Sequence, residues 1–328
     1  MAKKGKSKKT AKHAAPKHAA KKQGASKKKG ASTKQASHTK RLTKKQKLIR
    51  RRAAIVAVIA AIVVACVLAI RLFDWEMPVS GSFHGASLPS ESVAEESPFD
   101  WGYLVTGTDG RKHYVVDGSE ESRSGIDVSS HQGTIDWHAV RNDGISFAII
   151  RIGYRGTASG EIQEDSTFQQ NLLGAQMAGL NVGVYFYSQA TTVEEAEAEA
   201  DFVLEKLGAT SLMYPVVFDF EPTGNDSARI ASLGTDQMQA VAQAFCKRIE
   251  AAGRTAMVYG NIYDLRDMGY ATLWSYGYWL ASYTAQPSAN FPFAIWQYSS
   301  TGSVSGIEGS VDLDLDLSLP LSEYLGSL

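Results

Sequence analysis

Cysteine is nearly absent from this 328-residue chain, which contains only Cys66 and Cys246. Cys66 lies inside a long apolar run, so Cys246 is the only cysteine left for the remainder of the chain and has no partner for a disulfide. Secreted eukaryotic proteins commonly carry disulfides, so this absence is more typical of a bacterial cell-envelope protein. Cys246 falls in a predicted helix, and we interpret it as a core residue rather than a reactive thiol.

Acidic and aromatic residues are missing from the first 52 positions. Residues 1–52 contain 21 of the 34 Lys and Arg residues, three His, and no Asp, Glu, Phe, Tyr or Trp. A segment of this composition cannot bury a core, so we predict a disordered basic tail. Its charge favours nonspecific contact with nucleic acid or anionic lipid. The alternative is a solvated orientation signal that touches lipid only nonspecifically.

Charged residues are also absent from positions 53–70, a run of 18 apolar residues that follows three arginines. This length is just sufficient to cross a bilayer as a helix. We predict a signal-anchor helix over residues 53–72, with the basic tail in the cytosol and the later residues outside, in a single-pass protein of the bacterial cell membrane. A cleaved signal peptide is the competing interpretation, which the 52 preceding residues disfavour.

Residues 73–123 are predicted to form an extracytoplasmic linker, rich in Ser, Glu, Gly and Pro between positions 77 and 98. Two β-prone runs flank Asp109 and Gly110, a pair typical of a hairpin turn. A single hairpin is marginally stable alone. We therefore expect it to pack on the following domain or to serve as a small stalk element.

A glycine-rich nucleotide loop is missing after the first strand of residues 124–328, which disfavours an open doubly wound sheet. Strand and helix patterns alternate through five β/α units, and three more strands follow without long helices. The pattern predicts an α/β domain with a modified TIM-like (β/α)5β3 barrel. The eight predicted strands cover residues 125–130, 147–154, 182–189, 214–221, 255–259, 278–283, 294–298 and 311–317.

Carboxylates mark the ends of three predicted strands. Asp219 and Glu221 end the fourth strand, and alternate residues of a strand point the same way, roughly 6.6 Å apart. Two converging acids can act as an acid/base pair, and their repulsion raises at least one pKa. The alternative is an edge strand with a solvated acidic face. Asp127 in strand one and Asp312 in strand eight would meet the pair at the carboxyl end of a barrel.

Metal ligands in a recognisable pattern are lacking, and we predict no metal site and no cofactor. His131 and His138 have no third histidine nearby, and a surface or hydrogen-bonding role is favoured for both. The alternating acids at positions 312, 314 and 316 lack the glycine-bearing loop of a calcium site. We expect Asp314 and Asp316 to be solvated and Asp312 alone to be functional.

Several motifs, in order, resemble the glycoside hydrolase family 25 lysozymes, the Chalaropsis-type muramidases. The resemblance covers about residues 125–317. It rests on the following segments: Gly125-Ile-Asp-Val-Ser-Ser-His-Gln-Gly-Thr-Ile-Asp-Trp137, Phe147-Ala-Ile-Ile-Arg-Ile-Gly153, Gly183-Val-Tyr-Phe-Tyr187, Phe218-Asp-Phe-Glu221, Trp279-Leu-Ala-Ser-Tyr283, Trp296-Gln-Tyr-Ser-Ser300 and Gly309-Ser-Val-Asp312. Two positions depart from the family pattern: Phe220 stands where Val is common, and Asp314 where Asn is usual.

The resemblance implies a muramidase that cleaves the β-1,4 bond between N-acetylmuramic acid and N-acetylglucosamine in peptidoglycan. Glu221 would be the general acid, with Asp219, Asp127 and Asp312 as the supporting acids. Retaining, inverting and substrate-assisted routes all stay open, because the strand spacing falls between the carboxyl separations typical of the first two. A catalytically silent glycan-binding tether is the alternative function.

Aromatic residues near the predicted strand ends could present flat faces to sugar rings, and core packing is the alternative for each. The predicted substrate-binding residues are Arg151, Tyr185, Tyr187, Tyr283, Trp296 and Tyr298.

Overall fold

The computed structural model describes residues 97–222 and 228–327. The predicted basic tail, the predicted membrane span over residues 53–72 and the first part of the linker lie outside these residues. Among the helices of the described ranges, none combines the length and apolar character needed to cross a bilayer.

Twelve strands are present in the described ranges. They are β1 (Leu104–Thr106), β2 (Lys112–Val116), β3 (Ser119–Glu120), β4 (Arg123–Val128), β5 (Phe147–Arg155), β6 (Ile162–Glu164), β7 (Asn181–Tyr187), β8 (Val216–Asp219), β9 (Ala256–Asn261), β10 (Tyr278–Ala281), β11 (Ile295–Gly302) and β12 (Val311–Asp316).

Seven α-helices accompany these strands in the same ranges. They are α1 (Trp137–Asn142), α2 (Phe168–Met177), α3 (Val193–Leu207), α4 (Thr235–Ala251), α5 (Ile262–Asp267), α6 (Tyr270–Leu273) and α7 (Ser318–Gly326).

Eight of the strands close into a barrel, in the order β4-β12-β11-β10-β9-β8-β7-β5, and a further β4–β5 pairing completes the circle. From β4 to β11, each barrel strand pairs in parallel with the next barrel strand along the chain. The last strand, β12, pairs antiparallel with both β11 and β4. Helices follow the first five barrel strands, and loops join β10, β11 and β12. The predicted mixed α/β barrel of eight strands is confirmed.

The parallel strands are buried on both faces, as expected for a sheet covered by helices outside and by side chains within. Val216 to Asp219 in β8 are all buried. Small residues allow close approach inside this barrel: a Cβ added at Gly125 in β4 would lie 2.1 Å from the ring of Phe147 in β5. Cys246 of α4 is fully buried, which confirms its interpretation as a core residue.

The helix α3 shows how local sequence sets an element's ends. The Thr192 side chain accepts a hydrogen bond from the Glu195 amide at the amino end, and Gly208, with φ of +50°, ends the helix. A threonine cap and a terminal glycine commonly satisfy the free backbone groups at the two ends of a helix. The apolar side of α3 packs inward, with Ala196, Ala200 and Val203 among its buried residues.

A buried ion pair connects α3 to the end of β5. Arg155 Nε donates to Glu199 Oε1 over 2.6 Å, and Ser188 Oγ donates to the other oxygen, also over 2.6 Å. Burial raises the pKa of the Glu199 carboxyl to about 7, although Ser188 and Arg155 act in the opposite direction. Since both charges are largely out of water, removing one partner would leave the other uncompensated.

The predicted hairpin around Asp109 and Gly110 is present as β1 and β2, which pair antiparallel. Residues 97–120 pack on the outside of the barrel beside the β10–β11 loop. The Phe99 ring lies 5.0 Å from that of Phe293, and Lys112 Nζ donates to the Ala285 carbonyl over 2.7 Å. Of the two sequence alternatives, packing on the following domain is therefore the one observed.

Candidate active site

Four acids predicted from the sequence converge at one end of the barrel. Asp127 lies in β4 directly opposite Asp312 in β12, and Asp219 is the last residue of β8. Electrostatic interactions connect Asp127 to Asp312 and Glu221, and Asp219 to Glu221 and Asp127. The carboxyl ends of parallel barrel strands are where such chemistry is expected. Asp312 reaches the same end because β12 runs in the opposite direction and begins there.

Asp219 and Glu221 form a pair of interacting carboxyls. Asp219 Oδ1 is buried and has no hydrogen-bond partner. Burial raises the pKa of both carboxyls, and the charge of Glu221 raises the pKa of Asp219 further, whereas the contact with Asp219 lowers that of Glu221. Asp219 is 5% exposed. The predicted strand extends too far, because β8 ends at Asp219 and Glu221 lies in the irregular segment that follows it.

Asp127 is held by a hydrogen-bond network that sequence reasoning missed. Gln297 Nε2 in β11 donates to Asp127 Oδ2 over 2.7 Å. The Gln297 carbonyl oxygen accepts from the Tyr259 hydroxyl at 2.9 Å and from the Tyr283 hydroxyl at 2.7 Å. Burial, followed by the charges of Asp314 and Asp312, raises the pKa of Asp127 well above its ordinary value, and only the Gln297 hydrogen bond opposes this.

The prediction that Asp314 and Asp316 are solvated is wrong. Asp314 is fully buried, and its Oδ1 accepts from Trp279 Nε1 over 2.8 Å, whereas its Oδ2 has no hydrogen-bond partner. Burial raises the pKa of Asp314 well above its ordinary value. Asp316 is 1% exposed and accepts from Arg123 and from the Tyr214 hydroxyl. Closure of the barrel places the acidic face of β12 inside the protein rather than in water.

Three of the five predicted sugar-facing aromatics lie at the acid cluster. Burial raises the pKa of the Tyr185 hydroxyl, and the charges of Asp127 and Asp219 raise it further. The Tyr185 hydroxyl therefore lies close to both acids. Tyr187 pairs in register with Asp219, and burial together with Asp219 and Glu221 raises its pKa to about 12. The Tyr283 side chain is 57% exposed on the loop after β10.

Trp296 and Tyr298 are placed differently from the sequence prediction. Both lie on the opposite face of β11 from Gln297, because successive strand residues alternate. Trp296 is fully buried, its ring lies 5.7 Å from Trp101, and Lys112 Nζ lies 5.1 Å from its centroid. Tyr298 is 8% exposed. These two rings support the N-terminal hairpin and offer no free face to a sugar.

Arg151 lies close enough to the acid cluster to lower the pKa of Asp219 and of Tyr185, although it is not the largest influence on either. Its guanidinium is fixed from the side: Nε donates to Asp165 Oδ2 over 2.8 Å and one terminal nitrogen donates to Ser130 Oγ over 3.1 Å. Arg151 therefore contributes a fixed positive charge at the rim of the acid cluster.

The two histidines considered as ligands, His131 and His138, are both exposed and lie in a 3-10 turn and in α1. The residues that sequence reasoning missed are Gln297, Tyr259 and Trp279. A signal for Gln297 was available, because it is the only amide in the otherwise apolar and aromatic strand predicted over residues 294–298. Tyr259 and Trp279 carried no such signal, since aromatic residues in strands usually fill cores.

Comparison with known proteins gives a consistent result. The family model for glycosyl hydrolases family 25 matches residues 126–307. The chain is 30% identical over 191 residues to an autolytic lysozyme of Clostridium acetobutylicum, an alignment that covers 58% of this chain and 54% of that protein. It is also 30% identical over 201 residues to lysozyme M1 of Streptomyces globisporus, covering 57% and 65%. The chain thus spans between about half and two thirds of the length of these relatives.

A solved structure agrees with these sequence matches. The crystal structure of a bacterial lysozyme from Streptomyces coelicolor superposes with a TM-score of 0.50 and 28% identity, covering 58% of this chain and 90% of that one. The family match over residues 126–307 contains Asp127, Asp219 and Glu221 and ends before Asp312.

Proposed function

The chain belongs to glycosyl hydrolases family 25, and from this premise we propose that it is a membrane-anchored muramidase. The proposed reaction hydrolyses the β-1,4 bond between N-acetylmuramic acid and N-acetylglucosamine in peptidoglycan. The observation that carries the proposal is the interacting pair of buried carboxyls, Asp219 and Glu221, both with raised pKa values, at the carboxyl end of a family 25 barrel. The relatives named as lysozymes support the choice of substrate.

Glu221 is the proposed general acid. Burial keeps this carboxyl protonated to a higher pH than an exposed glutamate. It donates its proton to the glycosidic oxygen as the bond from that oxygen to the anomeric carbon breaks, so that the leaving sugar departs as a neutral alcohol. After departure, the Glu221 carboxylate takes a proton from the incoming water, which restores the starting state.

Asp219 is proposed to assist the substrate's own acetamido group. In this route the acetamido oxygen attacks the anomeric carbon, and a cyclic oxazolinium forms as the glycosidic bond breaks. The Asp219 carboxylate accepts a hydrogen bond from the acetamido N–H and stabilises the positive charge. Water then opens the ring. Direct attack by a carboxylate and direct attack by water are the competing routes.

Asp127 and Asp312 are proposed as supporting acids, and Tyr185, Tyr187 and Tyr283 as contacts to the sugars. Asp127 and Asp312 add negative charge to a site whose transition state is a cation, which favours that state electrostatically. The aromatic residues supply apolar ring faces beside the acids. The fixed charge of Arg151 is proposed to contact the substrate at the rim of this cluster.

The test is digestion of purified cell wall by the full-length chain in detergent, with identification of the new reducing end. A muramidase releases N-acetylmuramic acid at the reducing end, whereas a glucosaminidase releases N-acetylglucosamine. Glu221→Gln is the matched control, since it has nearly the same shape and cannot donate the proton. Binding to wall without new reducing ends would reject the enzymatic proposal and favour a glycan-binding tether.

Membrane attachment is a separate part of the proposal and rests on sequence alone. The apolar run at residues 53–70, preceded by three arginines, supports a single-pass anchor with the barrel outside the bacterial cell membrane. For residues 1–52 we propose nonspecific contact with anionic lipid or nucleic acid. A peptide of this tail should bind both duplex DNA and anionic vesicles, with an affinity that falls steeply as salt rises.

A further inference from the structure

We propose that Gln297 is a positioning residue of the active site, which holds the Asp127 carboxyl in a fixed orientation through an amide locked by two tyrosine hydroxyls. The proposal rests on the proposed muramidase function for its catalytic consequence. Its structural basis is independent of the substrate. Gln297 is 3% exposed, so it acts through Asp127 and not by touching the sugar.

The orientation of the Gln297 amide follows from its partners. A glutamine side chain has one oxygen acceptor and one NH2 donor group. The Tyr259 and Tyr283 hydroxyls lie 2.9 and 2.7 Å from the oxygen and can both donate to it. With the oxygen occupied in this way, the NH2 group faces Asp127 Oδ2 at 2.7 Å and donates to it. A donor that faces Oδ2 stabilises the carboxylate form of Asp127 relative to its carboxylic acid form.

The two tyrosines are themselves held by different parts of the barrel. Tyr259 lies in β9, is 8% exposed, and its ring contacts that of Trp279 at 4.6 Å in an edge-to-face arrangement. Tyr283 reaches in from the exposed loop after β10. The network therefore connects β4, β9, β11 and the β10–β11 loop, so the position of one carboxyl is fixed by four segments.

Asp127 needs such a donor because its surroundings oppose a negative charge. The titratable groups that face it are acids and tyrosines contributed by β7, β8 and the irregular segment that follows it, β9, the loop after β10, and β12: Tyr185, Asp219, Glu221, Tyr259, Tyr283, Asp312 and Asp314. Among the influences on the pKa of Asp127, only the hydrogen bond from Gln297 favours the charged form. Hydrogen bonding to the charged form lowers the pKa of a carboxyl.

The consequence is a specific dependence of Asp127 on this amide. Burial and the neighbouring acids raise the pKa of Asp127 well above its ordinary value, and the hydrogen bond from Gln297 limits that rise. Without Gln297, Asp127 would bind a proton at a higher pH. The site would then lose the negative charge that favours a cationic transition state.

The experiment compares wild type with Gln297→Met, Tyr259→Phe and Gln297→Glu in the full-length chain, using the pH profile of wall digestion. For Gln297→Met we expect kcat to fall about tenfold and KM to change less than twofold. The acid limb of the profile should move up by about one pH unit, because the pKa of Asp127 rises. Tyr259→Phe should give a smaller shift in the same direction, and Gln297→Glu a larger one. A lower kcat with an unmoved acid limb would show a merely structural role and overturn the proposal.

A second measurement separates this proposal from the muramidase function. The carboxyl carbon of Asp127 is titrated without substrate by 13C NMR on aspartate-labelled protein, and is assigned by its loss in Asp127→Asn. Its midpoint should be higher in Gln297→Met and in Tyr259→Phe than in wild type. If wild type fails to cut wall but the midpoint shifts, only the proposed function is wrong. Coincident curves for Tyr259→Phe and wild type would reject the Gln297 network, even if Gln297→Met failed to fold.

Discussion

Replacement of Glu221 by glutamine is the most direct test of the acid pair. The amide keeps the size of the side chain and cannot donate a proton to the leaving oxygen. General acid catalysis contributes about a hundredfold or more to rate, so kcat on cell wall should fall by at least ~100-fold. This corresponds to about 2.7 kcal/mol of transition-state stabilisation, since each tenfold is 1.36 kcal/mol.

The structure also predicts a change at Asp219 in this variant. Burial raises the pKa of Asp219, and the neighbouring Glu221 raises it further. An amide at position 221 carries no charge and can donate to Asp219, so the pKa of Asp219 should fall. Asp219 would then be ionised over a wider pH range, and the folded protein should be at least as stable as wild type. Thermal unfolding at neutral pH checks this part.

A substrate with a better leaving group makes the assay specific for proton donation. An aryl glycoside of the N-acetylated disaccharide releases a phenolate that needs little protonation. Glu221→Gln should therefore lose much less activity on the aryl glycoside than on wall. Asp219→Asn is the matched control, and it should lose activity on both substrates because it removes the charge that stabilises the acetamido intermediate. Near-normal turnover of wall by Glu221→Gln, or equal losses on both substrates, would refute the assignment of Glu221 as the acid.

Three further predictions concern stability and topology. Asp314→Asn should raise the free energy of unfolding at pH 7 by about 1 kcal/mol or more. Because burial raises the folded pKa of Asp314, this advantage should disappear below pH ~4, and urea unfolding at both pH values checks the difference. Arg155→Met leaves the buried Glu199 carboxyl unpaired and should cost about 3 kcal/mol, whereas a double variant with Glu199→Met should recover most of that loss in the same assay. Protease added to intact cells should remove the barrel and spare residues 1–52, and protection of the barrel would contradict the proposed anchor at residues 53–72.

The sequence was sufficient to predict the barrel because its elements carry strong local signals. The ends of helix α3 are marked in its own sequence by a threonine cap, an acidic first turn and a terminal glycine. The alternation of strands and helices indicated parallel pairing. The hairpin at residues 104–116 was identified by its Asp-Gly turn. These features depend on residues close together in the chain.

The parts that sequence did not predict depend on pairing between distant segments. Alternation shows that Gln297 faces away from Trp296 and Tyr298, but it does not show which face lies inside the barrel. Trp296 and Tyr298 were assigned to the site, whereas the structure places them on the outer face of β11 and Gln297 on the face inside the barrel. Asp314 was predicted to be solvated for the same reason, because only the closure of β12 against β4 shows that its face is interior.

The position of β12 determines when the barrel can close as the chain is synthesised. This strand lies between β4, the first strand of the barrel, and β11, so the circle cannot close until residue 316 is available. The same strand brings Asp312 to its place opposite Asp127. Pairing of segments so far apart in sequence is slow to form, because loop closure must precede any favourable contact. A chain emerging from its amino terminus therefore carries three of the four acids well before the fourth arrives, and the acid cluster is assembled only once β12 has been made.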